Sequence, residues 1–187
     1  FVLLGIFPLV AKKFLSWWEA RKQRLAFPKP DAFDTNMVVI GAGSAGLVTA
    51  YIAAAAKARV TLIERELMGG DCLNTGCVPS KALLRSSRIK KYIDRAAEFG
   101  LSSAPSHADF PALMRRVKNV IKAIEPHDSI ERYTELGVDC VTGSATITSP
   151  WTVEVNGKTI RTRSIVIASG GKPSVPPIPG LDLVSYL

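Results

Sequence analysis

The chain has 187 residues, enough for one substantial domain and an appendage. Its net charge of +8 is concentrated at the start, since residues 1–30 hold six basic residues and one acidic residue and so contribute +5. No zinc-finger spacing or RNA-recognition signature accompanies this charge, so we expect no nucleic-acid partner. Three cysteines are too few for the disulfide framework of a small secreted protein.

The first segment, residues 1–26, joins an apolar run to tryptophans and cations. Residues 1–11 carry no charge and are followed by Lys12, Lys13, Trp17 and Trp18. Eleven residues are about half of the ~20 needed to span the hydrocarbon, so this order is typical of the end of a membrane span whose flank is cytoplasmic. A short amphipathic helix packed on a soluble body is the alternative. We therefore expect the cytoplasmic face of a membrane (the inner membrane if bacterial), or the cytoplasm if the helix is not a span.

After this segment the pattern changes to that of a folded domain. Two prolines in residues 27–36 predict an extended linker that leads into the first strand. The remainder, residues 37–187, shows strand patterns at 37–40 and 59–64, helical patterns at 45–57, 82–99 and from Asp109 to Pro126, and β-rich sequence from 138 with a hairpin signal at Asn156-Gly157. We predict an α/β fold, with a Rossmann-like parallel sheet and flanking helices, preceded by an apolar and basic N-terminal helix.

A glycine motif follows the first predicted strand and opens the first predicted helix. Its first glycine, Gly41, permits a tight turn, Gly43 lets the backbone approach a pyrophosphate, and Gly46 allows close packing of helix on strand. Glu64 ends the next strand, 18 residues after Gly46. A carboxylate at that point accepts hydrogen bonds from ribose hydroxyls. These residues predict a dinucleotide site and leave NAD and FAD open.

Cys72 and Cys77 stand five positions apart in the stretch GGDCLNTGCVPSKALL. A helix start near Pro79 and the cation of Lys81 would lower a cysteine pKa, and the thiolate is the reactive form. A zinc site would need further ligands, and only Cys140, His107 and His127 remain as additional cysteine or histidine ligands. We therefore predict thiol–disulfide exchange and no metal, with a zinc clip and an inert disulfide as the alternatives.

The motifs GAGSAG, IERE and GGDCLNTGCVPSKALL, in this order, resemble the FAD domain of the class I pyridine nucleotide-disulfide oxidoreductases. This family includes dihydrolipoamide dehydrogenase, glutathione reductase and mercuric reductase, and the resemblance covers about residues 37–187. It implies a small antiparallel β excursion and then a last parallel strand at 164–168. It also implies a partial FAD-binding domain in a chain that lacks the family's nicotinamide and interface domains.

The resemblance assigns a role to each site residue. Cys77 would be the charge-transfer thiol beside the flavin and Cys72 the interchange thiol that meets the acceptor, while Lys81 would lie near flavin N5. Residues that would contact the rest of FAD are Gly41, Gly43, Gly46, Glu64, Gly70, Ala145, Ser169 and Gly170.

The implied function is an NAD(P)H-linked, FAD-dependent disulfide oxidoreductase. Its cysteine pair would relay electrons from flavin to a small-molecule or disulfide acceptor, or to a metal ion such as Hg(II), and the full-length protein would be a homodimer. The 187-residue chain would be an inactive fragment. A membrane-tethered nucleotide-binding module without turnover and an NAD-linked dehydrogenase are the alternatives.

Overall fold

The computed structural model describes residues 11–19, 21–22, 26–102, 105–172 and 174–184. Residues 11–19 and 21–22 are helical, whereas residues 1–10 of the predicted apolar run lie outside the described residues. None of the helices in the described part of the chain is long and apolar enough to cross a membrane.

One six-stranded sheet forms the body of the protein. Its strands are β1 (Thr35–Ile40), β2 (Val60–Glu64), β3 (Val138–Thr142), β4 (Thr146–Ser149), β5 (Thr152–Val155) and β6 (Lys158–Ile167). The strand order is β3-β2-β1-β6-β5-β4, in which β3, β2, β1 and β6 are parallel neighbours and β4 and β5 are antiparallel. The predicted parallel sheet with a small antiparallel excursion is therefore confirmed.

In the described part of the chain after residue 26, the α-helices that accompany the sheet are α1 (Ser44–Ala55), α2 (Gly70–Asn74), α3 (Cys77–Asp94), α4 (Phe110–Ile124) and α5 (Ile130–Glu135). The Asp109 carboxylate caps α4 by accepting a hydrogen bond from the Ala112 backbone N–H, as predicted. Helix α3 begins at Cys77, so Cys77 and Pro79 lie in its first turn, close to the predicted start. It ends at Asp94, earlier than the predicted end at residue 99, and Ala96–Phe99 form a separate 3-10 turn. Helix α5 was not predicted, because six residues are too few to show a helical period.

Alternating residues of the central strands divide the core between the two faces of the sheet. Val39 and Leu62 pack on one face with Leu47, Ala50 and Tyr133 of α5. Their neighbours in the chain, Val38 and Ile63, pack on the opposite face with Val153 and Val155. Because successive side chains of a strand point to opposite faces, these near-continuous apolar runs mark strands that are buried on both sides.

Strand β6 joins the antiparallel excursion to the parallel sheet. It pairs with β5 up to Arg161 and with β1 from Thr162 onward. The sequence predicted a separate final strand at 164–168, whereas the structure has one continuous strand that ends at Ile167. Thr162 is fully buried where β6 changes partner.

The segment before β1 is held against the sheet. The indole N–H of Trp151 donates to the Phe27 carbonyl at 3.2 Å, and the Phe33 and Trp151 rings lie 6.1 Å apart. The Asp34 carboxylate accepts from the Arg161 guanidinium at 2.8 Å and from the Arg161 backbone N–H at 2.8 Å. The predicted linker is therefore packed where it enters the folded body.

Candidate functional site

The carboxyl ends of β1, β2 and β6 bring three separate loops to one edge of the sheet. The Gly41 N–H donates to the Ile63 carbonyl at 2.8 Å, and the Ala168 N–H donates to the Ile40 carbonyl at 2.8 Å. Ligands of open α/β sheets bind at this edge, outside the carboxyl ends of the strands. The predicted site residues are therefore grouped where such a fold binds its ligand.

The three motif glycines meet three different steric demands. Gly41 has φ +101°, and a Cβ there would lie 2.3 Å from the Ala168 carbonyl oxygen. A Cβ on Gly46 would lie 1.8 Å from the Gly41 carbonyl oxygen, so α1 sits directly on the turn. A Cβ on Gly43 would meet only the Gly70 Cα, at 4.0 Å. The fold therefore requires glycine at positions 41 and 46, whereas Gly43 leaves an open approach to the backbone of the glycine loop.

Helix α1 begins at this open approach. Gly43 is its N-cap, no side chain caps the helix, and no acidic residue lies in the first turn. The positive end of the helix and its first N–H groups therefore face the opening beside Gly43, an arrangement that favours an anion.

Glu64 lies at the end of β2 with its carboxylate turned toward the glycine loop. One oxygen accepts from the Ala42 N–H at 2.6 Å and the other from the Glu66 N–H at 2.7 Å. Each carboxylate oxygen has two lone pairs, so both retain an acceptor site for a ribose hydroxyl. The α1 N-terminus and Glu64 together fit the pyrophosphate and ribose of a dinucleotide such as FAD.

The loop before the first cysteine is tied to the glycine loop. The Gly69 N–H donates to the Ala42 carbonyl at 2.9 Å. Gly70 has φ +52°, and a Cβ there would lie 2.8 Å from the Gly43 Cα. This close approach of two glycine backbones places α2, and Cys72 within it, next to the glycine loop.

Cys72 and Cys77 lie on two successive helices, α2 and α3. Cys72 is half-buried in α2, and Cys77 is exposed in the first turn of α3. The pKa of Cys72 is lowered, mainly by hydrogen bonding to Cys77 and then by hydrogen bonding to the Ser44 hydroxyl and by the charge of Lys81. Burial and the charge of Asp128 act in the opposite direction. Hydrogen bonding to Cys72 raises the pKa of Cys77. Cys72 is therefore the more acidic thiol of the pair.

The remaining predicted residues lie around this centre. Lys81 is exposed one turn beyond Cys77 on α3, close enough for its charge to act on both thiols. Ser169 and Gly170 are exposed immediately after β6, and the Ser169 Cα would lie 3.1 Å from a Cβ on Gly41. Ala145 follows a turn in which the Gly143 N–H donates to the Glu64 carbonyl at 2.8 Å. The structure thus brings every predicted site residue to the same edge of the sheet.

Two residues near the thiols were not predicted. Ser44 belongs to the glycine motif, but its effect on the pKa of Cys72 depends on how α2 folds back on α1. Asp128 lies in a 3-10 turn between α4 and α5, and partial burial raises its pKa. No local pattern relates either residue to the cysteines.

Within the described ranges, no three His, Cys, Asp or Glu residues cluster in a way that could hold a metal ion.

Residues 35–187 match the sequence profile of the pyridine nucleotide-disulphide oxidoreductases. The chain belongs to this family. The resemblance stated from the glycine and cysteine motifs is therefore confirmed, and the family comprises flavoprotein oxidoreductases that use FAD and NAD(P)H.

Two curated relatives illustrate the match to the family. The chain is 34% identical over 154 residues to a mercuric reductase of Staphylococcus aureus, covering 82% of this chain and 28% of the relative. It is also 34% identical over 147 residues to a dihydrolipoyl dehydrogenase of Acholeplasma laidlawii, covering 78% of this chain and 44% of the relative. The chain thus spans less than half the length of either relative.

The fold is similar to that of a solved family member. Superposition on the HOCl-induced flavoprotein disulfide reductase RclA from Escherichia coli gives a TM-score of 0.61 at 29% sequence identity, covering 79% of this chain and 31% of the other. A Cu(II) complex of a mutant of the same reductase gives a TM-score of 0.64 at 26% identity and covers 81% of this chain and 32% of the other.

Proposed function

We propose that this chain supplies the FAD-binding and dithiol part of an NAD(P)H-linked disulfide oxidoreductase. The observation that carries the proposal is the close approach of the Gly69–Gly70 loop to the glycine loop of α1. This contact places the proposed dinucleotide-binding loop, with Glu64 at one side, next to two thiols whose pKa values differ. A dinucleotide site alone would serve many enzymes, whereas a reactive dithiol against it serves electron transfer to sulfur.

The unequal pKa values support Cys72 as the attacking thiol. Its thiolate would attack one sulfur of an acceptor disulfide, breaking the S–S bond and releasing one acceptor thiolate. Cys77 would then give up its proton to that leaving group and attack the Cys72 sulfur, releasing the second acceptor sulfur, which is protonated from solvent. The acceptor disulfide gains two electrons, and the cysteine pair becomes a disulfide.

Other residues of the chain support this exchange. The Ser44 hydroxyl and the Lys81 ammonium stabilise negative charge on Cys72. The α1 N-terminus and Glu64 would hold FAD by its pyrophosphate and ribose, and Ser169, Gly170 and Ala145 would line the same edge. FAD reduced by NAD(P)H would supply the two electrons that return the cysteine disulfide to the dithiol.

The acceptor and the rest of the protein are proposed from the relatives. A small-molecule or protein disulfide fits the dithiol chemistry, and so does Hg(II), since relatives of the chain are named mercuric reductases. The chain spans 28% and 44% of the two relatives described above. We therefore propose that nicotinamide and interface domains outside these residues complete a homodimeric enzyme.

The test uses the protein at its complete length, with NAD(P)H as reductant and free thiols counted before and after reduction. We expect bound FAD, two additional thiols after reduction, and a long-wavelength absorbance band that depends on Cys77. C72S and C77S should each abolish the gain of two thiols, whereas the matched control C140S should keep it. A flavin-free protein would refute the proposal, and bound NAD in place of FAD would favour an NAD-linked dehydrogenase.

A further inference from the structure

The N-terminal helix presents large apolar side chains to solvent. Phe14, Leu15, Trp17 and Trp18 are 61%, 58%, 54% and 53% exposed. Phe14, Trp17 and Trp18 stand three and four residues apart, so they lie on one face of the helix. Among the described residues, this aromatic face belongs to neither core cluster, and an exposed apolar face of this kind marks a site of interaction.

Cations flank the aromatic face at both ends. Lys12 and Lys13 precede it, and Arg21 and Lys22 follow it. The Arg21 guanidinium lies 5.5 Å from the centre of the Trp17 ring, and the Lys22 ammonium lies 5.8 Å from the Trp18 ring. With one acidic residue in the same stretch, residues 12–22 carry a net charge of +3.

The helix is tethered close to the folded body. Only four residues separate Lys22 from Phe27, whose carbonyl accepts a hydrogen bond from the Trp151 indole. Five residue steps span at most about 18 Å. Whatever binds the helix therefore holds the folded body near its own surface.

We propose that the described helical residues 11–19 and 21–22 form an interfacial anchor that docks on the surface of an anionic phospholipid bilayer. Tryptophan rings are amphipathic and favour the level of the lipid headgroups. Flanking lysine and arginine residues attract anionic headgroups while the aromatic face enters the boundary of the acyl chains. A second copy of the same face is disfavoured as occupant, because it would bring two helices of charge +3 together. The anchor is independent of the redox chemistry of Cys72 and Cys77.

The test is co-sedimentation of the 187-residue chain with lipid vesicles. We expect binding to vesicles of equal parts phosphatidylcholine and phosphatidylglycerol, weaker binding to pure phosphatidylcholine, and loss of binding at high salt. K12Q/K13Q should weaken binding to the anionic vesicles roughly 30-fold, about fivefold for each cation. W17A/W18A should weaken binding to both kinds of vesicle at least about tenfold, because the buried aromatic area is lost.

Matched controls separate the effect of the anchor from nonspecific effects of positive charge and of exposed apolar side chains. K118Q/K122Q removes two exposed lysines from α4, and Y92A/F99A removes two exposed aromatic side chains of similar exposure elsewhere. Both control variants should bind as the unmodified chain does. Equal binding to neutral and anionic vesicles, or undiminished binding by W17A/W18A, would overturn the proposal. So would lipid-free self-association that W17A/W18A abolishes, because it would assign the face to a second copy.

Discussion

Replacing Gly46 by alanine should destabilise the fold whether or not a ligand is bound. The new Cβ would lie 1.8 Å from the Gly41 carbonyl oxygen, and real Cβ contacts are essentially never shorter than 3.0 Å. Helix α1 would have to move away from β1 by about 1.2 Å to relieve this contact. Neither atom can move alone, because the carbonyl oxygen belongs to the backbone and the Cβ is bonded directly to it. Overpacking of this kind costs about 3 kcal/mol at the upper end of its usual range.

Part of that cost is recovered because alanine favours the helical state. Gly46 lies inside α1, where alanine is favoured over glycine by about 1 kcal/mol. We therefore expect a net loss of about 2 kcal/mol in the free energy of unfolding. With a urea dependence of about 2 kcal/mol per molar, the unfolding midpoint should fall by about 1 M. Urea titration followed by far-ultraviolet circular dichroism measures this shift.

Gly43 provides the matched control. It has an ordinary φ of −77°, and a Cβ there would make only a normal contact, at 4.0 Å. G43A should cost about 0.5 kcal/mol, because alanine is a poorer N-cap than glycine. In the complete protein, the added methyl group should nevertheless weaken FAD binding, because it lies at the open approach to the α1 N-terminus. An unchanged urea midpoint for G46A, or equal destabilisation by both variants, would refute the steric argument.

Three further predictions concern charge and conformation. K81M should raise the pKa of Cys72, because it removes a nearby positive charge, and this should shift the pH profile of iodoacetamide alkylation upward. D34N should cost about 1 kcal/mol at neutral pH, since the ion pair is half exposed. Arg161 lowers the pKa of Asp34 from 3.8 to about 2, so this stabilisation is complete above about pH 4 and is lost as pH falls through about 2. N156A should cost about 2 kcal/mol, because φ is +51° there and the side-chain amide donates to the Thr142 carbonyl at 2.9 Å.

Each of these predictions has its own control. K91M removes an exposed lysine further along α3 and should leave the alkylation profile of Cys72 unchanged, measured in a C140S background. For Asp34, the difference in urea stability between wild type and D34N should vanish at the acid end of the titration, and a constant difference would contradict the ion-pair argument. N156G keeps the permitted backbone conformation and loses only the hydrogen bond, so it should cost less than N156A.

Much of the fold was predictable because its signals are local. The apolar runs of β1 and β2, the Asp109 cap of α4 and the Asn156-Gly157 hairpin depend on residues close together in the chain, and the structure has all of them. Two features escaped prediction for lack of such a signal. Helix α5 is too short to show periodicity, and the continuity of β6 depends on partners in two different parts of the sheet.

The sequence by itself determined the family of this protein. The spacing of the glycines, the position of Glu64 and the cysteine pair carry that assignment and predict a dinucleotide site and a redox dithiol, because each relies on residue types at fixed local distances. Tertiary structure alone decided which thiol is the more acidic. Hydrogen bonding between the two thiols lowers the pKa of Cys72 and raises that of Cys77, and the approach of Gly70 to Gly43 adds hydrogen bonding to Ser44, which lowers the pKa of Cys72 further.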